Sequence, residues 1–216
     1  MTAQAPAVVA ADYAAALAAI DAERPVWKTY QPGIGPHPET AVVRLVAADL
    51  AARFPDRYSP YRLGAPYPSA PRQKCDWVIG DPPVAAIEVK MLRLMGDNGK
   101  PNDNMLMHIL SPYPAHRSAL TDCSKLTASG FSCNTLVLVY GFDYPEWPMD
   151  PAIDAFEALS RRVVRLDQRG EAEAVRLVHP VHTRGRVFCW RVREHEAASE
   201  VDHVVTIVPL GNIRDQ

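Results

Sequence analysis

The chain has 216 residues, of which 48% are hydrophobic and 22% charged; a single domain of this length buries about 70–75% of its unfolded surface, so a disordered chain is excluded. Its 23 basic and 25 acidic residues leave a formal charge of −2. That excludes a strongly basic nucleic-acid coat protein, but not an enzyme with a local basic groove.

The segment Met1–Ile20 is rich in alanine, carries no Lys or Arg, and is interrupted by Asp12. It reads as a surface helix rather than a secretory leader. No stretch of about 18 apolar residues is free of charge, so no membrane association is expected. Cys75, Cys123, Cys133 and Cys189 are scattered without a CxxC pair, which reads as reduced thiols in a cytoplasmic protein. The expectation is one domain over 1–216, with an N-terminal helix within 1–24 and a helix and strands over 151–216.

In chain order, Tyr13, Leu17 and Ile20 at helical spacing predict a first helix from about Ala10 to Glu23, ended by Pro25. Tyr30–Pro38 is a Gly/Pro loop. Val42, Val46 and Leu50 form the stripe of a second helix over Pro38–Arg53, closed by Pro55. Residues 53–74 read as coil with one strand at Tyr58–Leu63. This stretch holds Arg53, Arg57, Arg62, Arg72 and Lys74 against Asp56, interleaved with Tyr58, Tyr61 and Tyr67. It suits either a solvated loop or an edge that tracks phosphates.

Cys75–Ile79 and Val84–Leu92 predict a hairpin around Gly80-Asp81-Pro82-Pro83. The polar loop Met91–Asn104 contains Lys100. Helices are expected at Asn104–Leu110 and Tyr113–Thr127, and a doubly covered strand at Thr135–Tyr140. A helix over Pro151–Asp167 and strands at Val175–Val181, Val187–Val192 and Val204–Val208 complete the α/β reading.

The hairpin carries the chemistry. Alternation along the second strand places Ala86, Glu88 and Lys90 on one face and Ile87, Val89 and Met91 on the other. Folding about Pro82 sets Asp76 opposite Glu88 and Lys74 opposite Lys90. Two opposed carboxylates repel unless a cation sits between them. A slip of one residue would send Asp76 to the apolar face. An all-oxygen site suits Mg²⁺, with Mn²⁺ as substitute. Lys90 beside it would orient water or neutralise charge on a phosphate. A surface hairpin with a salt bridge is the bland alternative.

Asp76, followed after eleven residues by Glu88-Val89-Lys90, resembles the signature of the PD-(D/E)XK nuclease superfamily. Cys75 stands where the motif often has proline. The resemblance implies a restriction-endonuclease-like core over residues 38–141: a central mixed β-sheet flanked by helices, here with a C-terminal strand extension. It implies metal ligation by Asp76, Glu88, the Val89 carbonyl and Glu39, with Lys90 as the catalytic lysine. The implied activity is Mg²⁺-dependent endonuclease cleavage of DNA, in restriction, phage defence or repair. A homodimer or a subunit of a larger assembly fits it equally.

His116, Arg117, Asp122 and Lys125 fall on the expected crossover helix, either facing substrate or solvated. Arg72, Lys74, Lys100 and Lys125 are the candidate substrate contacts. His179 and His182, with His195 and His203 beyond, are too loosely set to predict zinc. No GxSxG elbow, P-loop or dinucleotide fingerprint occurs. A non-catalytic subunit binding nucleic acid or a partner protein, and an enzyme acting on another phosphate ester, are the competing readings.

Overall fold

The computed structural model describes residues 4–195. Helix α1 (Pro6–Ala22) begins with proline in its first turn, where the missing N–H is no loss. It buries Val9, Tyr13, Leu17 and Ile20. Helix α2 (Glu39–Arg53) buries Val42, Val46 and Leu50 as its stripe predicts. A short helix α3 (Pro55–Tyr58) leads into strand β1 (Tyr61–Pro66). Strands β2 (Lys74–Ile79) and β3 (Ala85–Leu92) form the expected hairpin. Helix α4 (Met107–Leu110), a 3-10 turn at Pro114–His116 and helix α5 (Ala119–Thr127) cross over to β4 (Asn134–Phe142). Helix α6 (Asp150–Ser160) and strands β5 (Arg165–Val175) and β6 (Arg184–Arg193) follow.

The six strands make one mixed sheet in the order β1-β2-β3-β4-β6-β5. β3 and β4 are parallel, and the other neighbours antiparallel. Helices α1 and α2 cover one face over Trp77, Ile87, Val89, Leu138 and Tyr140. Helices α4, α5 and α6 cover the other over Val78, Ala86, Val137, Val139 and Trp190. Burial of β4 on both faces explains its continuous apolar run. No helix among the described residues is long and apolar enough to cross a membrane. All four cysteines are free.

Several boundaries differ from the sequence reading, each for a local reason. Helix α1 starts at Pro6, not Ala10. The strand expected at Tyr58–Leu63 begins at Tyr61, because Tyr58 turns into the core, stacks on Trp77 and donates to Asp12 Oδ2 at 2.8 Å. The helix expected from Asn104 forms only at Met107, after left-handed Asn104. The helix expected from Tyr113 starts at Ala119. Arg117 is left-handed (φ 48°), and Ser118 caps the new start by accepting the Thr121 N–H at 3.1 Å.

The C-terminal half differs most. Helix α6 stops at Ser160 rather than Asp167, and β5 occupies 165–175 where no strand was expected. The strand placed at Val175–Val181 is instead the end of β5 and a loop, entered through left-handed Arg176. β5 is an edge strand whose charges pair locally, Arg169 with Glu171 and Glu173 with Arg184. Edge strands carry such charges in place of apolar alternation, so the hydrophobic signal is missing. The expected strand Val204–Val208 and His203 lie outside the described residues.

Candidate active site

The β2–β3 ladder pairs Trp77 with Ile87, Val78 with Ala86 and Ile79 with Ala85. Its continuation is the register that sets Asp76 opposite Glu88. The ladder ends at Trp77, however, and β2 goes on alone with β1, pairing Cys75 with Ala65 and Lys74 with Pro66. Lys74 therefore does not face Lys90, and two cations avoid direct opposition. Where the strands part, the Asp76 side chain replaces the missing ladder bond: the Val89 N–H donates to its Oδ2 at 2.9 Å. The splay opens a cleft at this end of the sheet, with the motif residues as its floor.

Glu88 and Lys90 point toward α5, and both are buried. Lys90 Nζ lies 2.8 Å from Asp122 Oδ2, and 3.9 Å from both Asp76 Oδ2 and Glu39 Oε1. It also donates to the Val89 carbonyl at 3.1 Å. Lys125, one turn along α5, pairs with Asp122 and lies 3.7 Å from Glu88 Oε1. Tyr67 reaches from the end of β1 and donates to Glu88 Oε1. Glu39 Oε2 accepts the Met91 N–H at 2.6 Å. Both further ligands that the resemblance implies, Glu39 and the Val89 carbonyl, are thus engaged by protein donors.

Four carboxyl groups (Glu39, Asp76, Glu88, Asp122) surround two ammonium groups (Lys90, Lys125). Burial and this crowding together show in their protonation. Burial, then the charges of Asp122 and Asp76 and the hydrogen bond that the Glu88 carboxyl donates to the Asp76 carboxylate, push Glu88 up to about 9. Burial pushes Glu39 up to about 7, although Lys90 and the Met91 N–H oppose it. Burial works against the Lys90 ammonium, yet Asp122, Glu39 and Asp76 together raise its pKa above the ordinary lysine value. Lys125 is raised likewise, against burial, by Asp122 and Glu88. Lys90 is therefore a fixed cation at neutral pH.

Above this floor lies a cleft of about 800 Å³. Arg72, Gln73 and Lys74 form one wall, Arg117, Thr121, Ser124 and Lys125 the other, and Asp76, Glu88 and Lys90 the base. Of the candidate substrate contacts, Arg72, Lys74 and Lys125 are brought together here. Lys100 is not: its loop is closed by the Met95–Pro101 bridge and tied down through Asp97, which meets Arg93 and His182. Two of the three tyrosines of the basic stretch do not serve as platforms, since Tyr58 and Tyr67 are core residues, and Tyr61 is half-buried on β1. Arg53 and Arg57 are taken up by Asp49 and Asp12. A solvated face fails for Asp122, whose side chain is 0% exposed.

Asp97, His179 and His182 form a second cluster, with candidate ligand atoms within 4.8 Å of one another. The His179 Nδ1 and both His182 ring nitrogens are engaged, while the buried His179 Nε2 has no hydrogen-bond partner among the described residues. His182 bridges Tyr144 Oη at 2.6 Å and Asp97 Oδ1 at 2.9 Å. His179 Nδ1 accepts the Val181 and His182 N–H groups, which leaves the proton on Nε2. The Arg93 guanidinium stands 3.5 Å from Asp97. We read it as a polar junction joining two loops. His116 holds Ser111 Oγ at 2.6 Å, and His195 donates to the Arg161 carbonyl at 3.1 Å.

Sequence reasoning missed Tyr67 as the partner of Glu88. It also missed Asp122 as the anchor of Lys90, although the Asp122/Lys125 spacing on one helix face was a usable signal. Compared with known protein families, curated proteins and solved structures, the chain matches none.

Proposed function

We propose that the chain is a metal-dependent nuclease that hydrolyses phosphodiester bonds in DNA. On this reading Asp76 and Glu88 hold the divalent cation, Mg²⁺ or Mn²⁺. One observation carries it: two adjacent carboxyl groups and a buried ammonium form the floor of a cleft whose rim is basic. The order α2, β1, β2, β3, α5, β4 also supports the likeness to a restriction-endonuclease-like core.

The residues fit a divalent cation. Asp76 and Glu88 share a hydrogen bond, so one proton sits where two carboxylates would otherwise repel. Replacing that proton with a hard cation removes the repulsion and uses oxygen donors of the right kind. A cation bound there supplies a more acidic water and neutralises charge on the phosphoryl oxygens.

The chain's own groups do the rest. Lys90 keeps its proton, so it acts as a cation and not as a base. It holds a water by hydrogen bonding and stabilises charge that develops on the phosphate. Asp122 fixes the Lys90 ammonium in place, as the buried 2.8 Å pair requires. Tyr67 orients Glu88 by donating to one of its oxygens. Lys125, 29% exposed, offers a second cation on the open side of the cleft.

The test is cleavage of supercoiled plasmid with Mg²⁺, with Mn²⁺ and with EDTA. Wild type should nick or linearise the plasmid in a metal-dependent manner. Lys90→Ala and Asp76→Asn should abolish cleavage while circular dichroism shows the fold retained. Cleavage by either variant at the wild-type rate would remove the assignment.

A further inference from the structure

A second, smaller cleft of about 260 Å³ lies on the other side of Asp76, between α2 and β1. It is lined by Glu39, Thr40, Arg44, Leu63, Gly64 and Asp76. Asp76 thus stands between two cavities: the large one toward α5 and this one toward α2. We propose that the two cavities form one track for a nucleic-acid strand, and that the α2 side is a binding site for the phosphate next to the scissile one, held by Arg44. The proposal rests on the nuclease reading and extends it to a residue outside the motif.

Charge carries the argument. Arg44 is exposed on α2 and makes no ion pair with any described residue; the same holds for Arg72, Lys74 and Arg117 on the α5 side. These contrast with Arg53 and Arg57 nearby, each neutralised by an aspartate. Unneutralised cations therefore flank Asp76 on both sides, with the carboxyl groups confined to the floor between them. A substrate confined to the large cleft would need cations on one side only. A polyanion passing across Asp76 needs them on both, with one phosphate at the floor and its neighbours on the flanks.

The acids of the small cleft, Glu39 and Asp76, do not oppose this: Asp76 belongs to the shared floor and accepts the Val89 N–H. Glu39 is turned away into the Met91 N–H and toward Lys90, at 2.6 and 3.9 Å. Gly64 adds no side chain to the opposite wall, and a Cβ there would meet only the Lys74 Cδ at 3.8 Å. The backbone of a strand can approach β1 closely at this point. Thr40 supplies a hydroxyl beside Arg44.

The test uses the full chain and a labelled DNA duplex. Binding is measured in Ca²⁺ over a range of KCl, and cleavage kinetics in Mg²⁺. Arg44→Ala is compared with wild type and with Arg162→Ala, an exposed arginine outside both clefts. Loss of one phosphate contact should lower the slope of log K against log salt by about 0.9. KM should rise about tenfold while kcat holds. Arg44→Ala behaving as Arg162→Ala does, beside an active wild type, overturns the track and leaves the nuclease reading in place. A wild type that cleaves no DNA with Mg²⁺ or Mn²⁺ overturns the nuclease reading, and the track with it.

Discussion

Asp122→Asn isolates the anchor of the candidate site. The Asp122 side chain is 0% exposed and contacts two ammonium groups, Lys90 at 2.8 Å and Lys125. The asparagine keeps the shape and one acceptor but removes the charge. Removing one partner of a buried pair costs about 3–5 kcal/mol, because the other charge stays buried. Here Lys90 retains Asp76 and Glu39 at 3.9 Å, and Lys125 retains Glu88 at 3.7 Å. The lower end, about 3 kcal/mol, is therefore expected. For a domain of this size each kcal/mol is worth about 2–4 °C, so the melting temperature should fall by about 6–12 °C. The control is Asp49→Asn, which breaks the half-exposed i,i+4 pair with Arg53 and should cost about 0.5 kcal/mol or less. Thermal and urea unfolding at pH 7 compare the two. If Asp122→Asn is no less stable than the control, Lys90 does not depend on Asp122 and the account of the site is wrong.

Three further outcomes follow from the geometry. Burial, against the opposing pull of Asp97, lowers the His182 pKa to about 4 from an ordinary 6.5. The unfolded chain therefore takes up a proton that the folded one refuses; the contribution of His182 to stability is complete above pH 6.5 and falls by about 1.4 kcal/mol per unit toward pH 4. Glu88 and Glu39, with raised pKa values, act in the opposite direction and are common to wild type and variant, so the loss is read as the difference in urea midpoint between wild type and His182→Gln at pH 7 and at pH 5; a difference that does not change with pH would refute it. Gly141→Ala would set a Cβ 2.0 Å from the Leu92 carbonyl oxygen, a backbone atom of the paired strand, whereas in Gly185→Ala the nearest atoms are at 3.4 Å. The first should cost about 3 kcal/mol or more and the second far less, read by thermal unfolding. Finally, Lys90→Met combined with Asp122→Leu should leave stability unchanged or higher by about 1–4 kcal/mol, since apolar replacements of a buried pair often do so, while plasmid cleavage is lost. Unfolding of the double variant would assign the pair a structural purpose.

The sequence was most informative where burial enforces a period. The α2 stripe, the apolar run of β4 and the β2–β3 register could be read because a wrong phase would expose Leu50, Val137 or Trp77. It was least informative where polar groups bond locally. β5 satisfies its charges along an exposed edge, so its residues carry no apolar alternation. The start of α5 depends on one serine cap and one left-handed arginine, neither of which leaves a periodic trace. In the site, Asp76, Glu88 and Lys90 were legible because charges stand out in an apolar hairpin. Tyr67 and Asp122 were not, because their roles arise from tertiary approach: Tyr67 meets a residue 21 positions away. Asp122 meets Lys90 only once the crossover returns α5 over β3.

Charge buried in a core is not by itself a sign of function. Arg186 is buried, yet it meets Asp150, Glu171 and Asp143, and the first two of these are 52% and 35% exposed, so water shares the load. His182 is buried, yet as a neutral ring it has a partner on each nitrogen. In both, the buried group is met by local partners, although the buried Arg186 Nε has no hydrogen-bond partner among the described residues. The group around Lys90 differs: its carboxyl groups outnumber its ammonium groups, and burial, with the neighbouring carboxylates behind it, makes two of them resist ionisation. Folding alone would favour fewer carboxylates there, since each buried charge without a partner costs stability. This carboxyl-rich floor faces a cleft and is flanked by cations that make no ion pair with any described residue. On the proposed reading, a divalent cation would take the place of the proton shared by Asp76 and Glu88 at the floor, and a phosphate chain would pair with the cations of the rim.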